Sequence, residues 1–125
     1  ISPEESLILC REGRKRGVNM ILTHPEFPRT RIGRDDQAEL AKLGVVIEKN
    51  WFNLAQKSVM PEEMAETIRT VGSGHVYLAT DRGQEGAPTP VSELKRFIAV
   101  MLTCGIAEAQ IRDMVQKVPE EVVCR

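Results

Sequence analysis

The chain has 125 residues, of which 42% are hydrophobic and 28% are charged, with a formal net charge of -1. This composition is typical of one folded domain with an apolar core, and it removes the bulk electrostatic attraction that binding to nucleic acid or anionic membranes needs. The three widely spaced cysteines contain no Cys-x-x-Cys pair, which argues against a cysteine zinc site. With no signal peptide and no apolar run of about 20 residues, we expect a cytoplasmic protein.

Hydrophobic periodicity, caps and glycine stops predict three helix–strand units in chain order. The first helix begins after Ser2, a good N-cap, and ends at Gly17. The next two helices are predicted over residues 35–43 and 61–71, and the strands that follow the three helices over residues 18–23, 45–48 and 76–79. Further helices are expected over residues 91–102 and 107–115, with a short turn or helix over 118–123.

A helix, a glycine turn and a strand, repeated three times, predict an α/β fold: parallel strands with helical crossovers. The loops before the strands are tight glycine turns, whereas the loops after them are long and polar. This asymmetry is typical of a sheet whose carboxyl edge carries a function.

Two side chains stand where buried strands end. His24 follows the first predicted strand and Asp81 follows the third. Because parallel strands end at one edge of a sheet, we expect the two side chains to lie at the same edge. The structural alternatives are a histidine that hydrogen-bonds a loop and an aspartate that caps the turn before Gly83. His75 precedes its strand, at the opposite edge, and is interpreted as structural.

Three further charged residues are weak candidates for substrate contacts: Glu26, Glu48 and Arg82. Glu26 and Arg82 follow the same strand ends as His24 and Asp81, and Glu48 ends the second predicted strand. The alternative for Glu26 and Arg82 is a surface salt bridge, and for Glu48 a side chain that faces solvent.

These motifs resemble the carboxyl-terminal part of a metal-dependent hydrolase of the amidohydrolase superfamily, whose fold is a TIM barrel. Thr23-His24-Pro25 is similar to the end of that family's sixth strand, and Thr80-Asp81-Arg82-Gly83-Gln84 to the end of its eighth. Residues 45–48 match the seventh strand, and residues 88–114 resemble the terminal helices. The chain departs from the family at Val118-Pro119-Glu120, which keeps only the proline of a final Asn-Pro-Ala turn.

The resemblance implies the last three β/α units of a TIM barrel plus terminal helices. Residues 1–125 would be a single α/β domain and an incomplete (β/α)8 barrel, because the family's first-strand His-x-His pair is absent and the chain has only 2 histidines. The resemblance also implies a divalent metal, most commonly zinc. His24 would bind the metal or polarise a carbonyl, and Asp81 would bind the metal and act as general base.

The implied function is part of a metal-dependent hydrolase acting on a small molecule with an amide, ester, lactone or similar carbonyl centre; decarboxylation is also known on this scaffold. Three strands cannot close a barrel, so we expect self-association or pairing with the missing part of the barrel. The alternative is a non-catalytic small α/β domain that binds a ligand or protein partner at the carboxyl edge of its sheet. No glycine-rich phosphate loop is present, which argues against nucleotide binding.

Overall fold

One parallel sheet organises the chain, as seen in a computed structural model that describes residues 2–124. Its strands are β1 (Ile21–Leu22), β2 (Val46–Asn50) and β3 (Val76–Ala79), in the order β1–β2–β3. Both neighbouring pairs are parallel, with Leu22 opposite Ile47 and Ile47 opposite Val76. The parallel, adjacent arrangement predicted from the helix–strand repeat is confirmed, and the chain is an α/β protein.

Helices connect and follow the strands. The helices up to β3 are α1 (Pro3–Lys15) before β1, α2 (Arg34–Lys42) between β1 and β2, and α3 (Trp51–Ala55) and α4 (Pro61–Val71) between β2 and β3. After β3 come α5 (Pro90–Thr103), α6 (Glu108–Arg112), a π turn (Asp113–Lys117) and α7 (Val118–Val123). Ser2 and Glu5 form a reciprocal capping box at the start of α1. Within residues 2–124, no helix combines the length and apolar character needed to cross a bilayer.

The apolar core lies on one face of the sheet. Strand register places Leu22, Ile47, Val76 and Leu78 on that face, and all four side chains are buried. They join one cluster with buried side chains of the helices, namely Leu40, Ala41, Met64, Ala65, Ile68, Phe97 and Met101. Burial of this cluster is the main source of stability for a fold of this size. The other face carries Ile21, Glu48, Asn50 and Tyr77.

The strand boundaries differ from the predicted ones for physical reasons. β1 covers only Ile21–Leu22 of the predicted 18–23, because it is an edge strand whose ladder begins opposite Val46. The Val18 carbonyl instead accepts a hydrogen bond of 2.9 Å from the Arg14 guanidinium, which also donates to the Leu43 carbonyl. β2 extends two residues beyond the predicted 45–48, through Lys49 and Asn50.

The helices also differ in two places. The segment after β2 begins with the short helix α3, which was not predicted from the sequence. The Asn50 side chain caps this helix and accepts a 2.7 Å hydrogen bond from the Phe52 amide. The helix predicted over residues 107–115 is divided into α6 and the π turn, which continues directly into α7.

Candidate functional site

His24 and Asp81 meet at the carboxyl edge of the sheet, as the sequence predicted. Their side chains approach to 3.7 Å between Nε2 of His24 and Oδ2 of Asp81. That distance is longer than a hydrogen bond and corresponds to an ion pair when the imidazole is protonated. Both side chains are accessible, with 37% and 47% of their surface exposed. The pair is therefore close enough to act on one bound atom and open enough to receive it.

Both residues adopt a backbone conformation that is costly for an L-amino acid. The φ angle is 51° at His24 and 51° at Asp81, in the left-handed region. Among the described residues, Lys57 is the only other non-glycine residue with positive φ. Each such residue costs roughly 1–3 kcal/mol, and residues of this kind cluster at functional sites.

Replacing His24 or Asp81 with glycine is expected to raise the free energy of unfolding by about 0.5–1 kcal/mol, because glycine adopts positive φ without strain but loses more chain entropy on folding. Thermal unfolding followed by circular dichroism measures the effect. Lys57→Gly, at a φ of 56°, is the matched control and should raise the free energy of unfolding by a similar amount. Destabilisation by both His24→Gly and Asp81→Gly, with stabilisation by Lys57→Gly, would show that the pair itself supports the fold.

The donor atoms of the pair fit two ligands of one metal ion. Two ligands of a tetrahedral zinc ion at 2.0–2.2 Å lie about 3.4 Å apart, close to the separation of Nε2 and Oδ2. The described part of the chain contains no group of three or more His, Cys, Asp or Glu side chains that could hold a metal. His24 Nδ1 is buried and has no hydrogen-bond partner among residues 2–124, whereas metal-binding histidines usually donate from their second nitrogen. The pair could therefore supply two of the four ligands of a tetrahedral metal site.

An apolar groove of about 640 Å³ adjoins the pair, and both His24 and Asp81 line it. Its wall also includes Leu9 and Cys10 of α1, Ile21 of β1 and Phe27. No lysine or arginine is among the described residues that line it. Burial raises the pKa of the Cys10 thiol, so this side chain stays neutral and contributes apolar surface rather than a nucleophile. The groove has the size of a small-molecule site, and its wall is mainly apolar.

Glu26 is not a surface residue, and the surface salt bridge considered for it is wrong. Its side chain is 5% exposed and forms an ion pair with Lys49, which has no exposed surface. Lys49 Nζ also donates a 2.6 Å hydrogen bond to Oε1 of Gln37. Burial lowers the pKa of Lys49, and the Glu26 carboxylate opposes that shift. The ion pair is removed from solvent, which argues against a direct substrate contact by Glu26.

Glu48 is buried as well, so the solvent-facing alternative is wrong. The residue is 7% exposed. Its carboxylate accepts hydrogen bonds of 2.7 Å from Nδ2 of Asn50 and 2.9 Å from the Tyr77 hydroxyl. Burial and the neighbouring Glu48 charge raise the pKa of Tyr77 above its ordinary value, so the phenol remains a donor. This hydrogen-bonded set lies on the sheet face opposite the apolar core.

Arg82, the residue after Asp81, is also largely buried, with 16% of its side chain exposed. Its Nε lies 3.5 Å from Oε2 of Glu93, a buried residue of α5, and its guanidinium lies 5.5 Å from the centroid of the Phe52 ring. Glu93 also accepts hydrogen bonds from the Trp51 indole and, at 3.0 Å, from Arg96. Arg82 thus connects the Asp81 loop to α5, and the surface salt bridge considered for it is wrong.

Among residues 2–124, Lys49 and Glu93 are the two buried charged residues that the sequence analysis missed. Lys49 stands two positions after Ile47, so strict alternation along a continued strand assigns it to the buried face. Glu93 stands four residues before Phe97, on the buried side of α5. In each case the periodic pattern assigns the position to the buried face. The position was nevertheless not predicted to be buried, because ionised side chains are rarely buried.

Residues 1–48 match a family described as "Family of unknown function (DUF6282)". The matched part contains α1, β1, the loop that carries His24, and α2, while Asp81 lies outside it. Comparison with curated proteins found no match, and neither did comparison with solved structures.

Proposed function

We propose that this chain supplies part of the active site of a metal-dependent hydrolase that acts on a carbonyl-centred bond. The observation that carries the proposal is the approach of His24 Nε2 to within 3.7 Å of Asp81 Oδ2, with both residues at the ends of parallel strands. The left-handed backbone at both positions supports it, because residues with such strain cluster at functional sites.

In the proposed reaction, His24 and Asp81 would hold a divalent metal ion, for which zinc is the first candidate. The chemistry that the ion supplies when bound is a water molecule with a pKa of about 7 and a polarised carbonyl. The Asp81 carboxylate accepts the proton of the attacking water and returns it to the leaving group. His24 Nε2 would either help to hold the ion or polarise the carbonyl oxygen. The apolar groove receives the uncharged part of an amide, ester or lactone substrate.

The architecture proposed for the complete protein is a TIM barrel, to which this chain contributes three β/α units and the terminal helices. The strand order and the placement of His24 and Asp81 at one edge support this proposal. Two donor side chains are too few for firm zinc binding, so other ligands must complete the site.

A zinc titration by calorimetry tests the proposal. We expect one weak site on this chain, because two ligands give little affinity. Asp81→Asn and His24→Gln should each weaken zinc binding by about 10-fold or more. Even the loss of a group that only hydrogen-bonds a metal ligand typically lowers metal affinity by about that factor.

His75→Gln provides the matched control, because the only other histidine of the chain stands at the amino end of β3. It should leave zinc affinity unchanged. Tight stoichiometric binding that survives the loss of both His24 and Asp81, or equal losses for His24→Gln and His75→Gln, would place the metal elsewhere and overturn the proposal.

We also propose that the free edge of β1 is a pairing surface. β1 is a terminal strand of the sheet, and the apolar groove runs between it and α1. Ile21 is 38% exposed and Leu9 is 54% exposed, so apolar side chains flank the unpaired backbone groups. Exposed edges of this kind bind further strands. Pairing with another copy, or with the remaining barrel strands, would cover them while the His24 and Asp81 side chains stay at the strand ends.

Light scattering at micromolar concentration is expected to show self-association. Ile21→Lys should restore a monomer, because a charge at the edge opposes pairing. Leu102→Lys, at a 43% exposed position on α5, should not. A wild-type monomer that melts cooperatively would instead favour the second candidate function: a small binding domain without catalysis. The large apolar groove and the incomplete ligand set are the observations that keep this candidate open.

A further inference from the structure

A lysine ammonium without solvent exposure contacts the loop that carries His24. Lys49 lies on β2, on the same face as Ile47, and none of its side chain is exposed. Burying an ammonium group has a large desolvation cost that an apolar side chain at this position would avoid. Packing alone therefore does not account for a lysine at this position.

The bonds of Lys49 reach both ends of the loop between β1 and α2. At the first end, Lys49 Nζ pairs with Glu26, two residues after His24. At the second end it donates to Gln37, whose amide nitrogen donates a 2.8 Å hydrogen bond to the Ile32 carbonyl. One ammonium group thus joins the beginning and the end of the loop.

Hydrogen bonds within the loop carry this constraint to His24. The Phe27 amide donates to the His24 carbonyl at 3.0 Å, and the Ile32 amide donates to the Pro25 carbonyl at 2.9 Å. His24 itself has a φ of 51°. A strained residue keeps such a conformation only when its surroundings fix it. Lys49 contacts this loop at Glu26 and, through Gln37, at Ile32.

We propose that Lys49 is a positioning residue: through Glu26 and Gln37 it holds the loop that fixes His24 opposite Asp81. The effect on catalysis rests on the proposed hydrolase function, whereas the anchoring of the loop does not. In this role Lys49 contacts no substrate and acts only through the two side chains that it binds.

Hydrogen exchange of backbone amides separates positioning from general stability. Lys49→Met leaves the Glu26 charge buried and can unfold the protein, so the informative variant is Lys49→Met combined with Glu26→Met, which removes both charges. Gln37→Leu is a milder second variant that detaches only the Ile32 end of the loop. Lys42→Met is the matched control, because it removes an exposed lysine that pairs with Glu39 on α2.

In the double variant we expect the Phe27 and Ile32 amides to exchange about 10-fold faster or more, while amides of the central strand β2 exchange as in the wild type. Gln37→Leu should accelerate Ile32 most, and Lys42→Met should change neither amide. Zinc affinity, measured in the same variants, should fall in the double variant.

Unchanged exchange of Phe27 and Ile32 in a folded double variant would overturn the proposal. If the double variant does not fold, unchanged Ile32 exchange in Gln37→Leu overturns it instead. Failure of the hydrolase proposal has a different signature: zinc binding is then independent of His24 and Asp81, while the loop amides still respond to the loss of Lys49.

Discussion

Replacing Lys49 with methionine should lower the free energy of unfolding by about 3–5 kcal/mol, the usual result of removing one partner of a buried ion pair. The cost arises because the carboxylate of Glu26, whose side chain is 5% exposed, stays buried after the substitution has removed its counter-charge, the Lys49 ammonium. Gln37 also loses the donor for its carbonyl oxygen. Urea denaturation followed by far-ultraviolet circular dichroism measures the loss.

Adding Glu26→Met to Lys49→Met should recover most of that loss, because two uncharged side chains of similar volume need no solvation. Lys42→Met sets the scale for an exposed lysine, where a change within about 0.5 kcal/mol is expected. A Lys49→Met variant within about 1 kcal/mol of the wild type would contradict the assignment of a charged, paired Lys49.

The second large effect is expected at Glu93, which connects three elements. Glu93→Ala should lower the free energy of unfolding by about 2–3 kcal/mol, because the Trp51 indole loses its hydrogen-bond acceptor and the largely buried Arg82 guanidinium loses its counter-charge. The same denaturation experiment measures this loss. Zinc binding should weaken as well, since Arg82 adjoins Asp81 in the chain.

Arg96→Ala is the control for Glu93→Ala, since it removes another partner of the same carboxylate. The Arg96 side chain is 65% exposed, so its loss should cost less than about 1 kcal/mol. Equal losses for Glu93→Ala and Arg96→Ala would show that the contacts of Glu93 with Trp51 and Arg82 add little stability.

The fold was predictable where local signals agree with burial. Gly17, Gly44 and Gly72 all adopt positive φ at helix ends, which is why the glycine stops located the helix–strand turns correctly. β3 matches its predicted bounds because it is an apolar run preceded by such a turn. The placement of His24 and Asp81 at one edge followed from sheet geometry, because parallel strands end at the same edge, whereas their close approach across β2 did not.

The features that the sequence did not predict depend on contacts between residues distant in the chain. Lys49 and Asn50 continue β2, but their polar side chains made the strand seem to end at Glu48. Their place in the sheet depends on Glu26, Gln37 and β3, which the local sequence does not reveal. The left-handed backbone at His24 and Asp81 was equally hidden, because histidine and aspartate carry no signal as strong as that of glycine.

The contact between Trp51 and Glu93 makes Trp51 an intrinsic fluorescence probe of the protein. Trp51 is the only tryptophan of the chain, and its ring packs against Phe97 with centroids 5.8 Å apart. The indole N–H is bonded to Glu93, which also pairs with the arginine next to Asp81. Indole fluorescence shifts to longer wavelength on contact with water. Its emission therefore reports the junction of α3, α5 and the Asp81 loop, so movement of that loop can be followed without attaching a label.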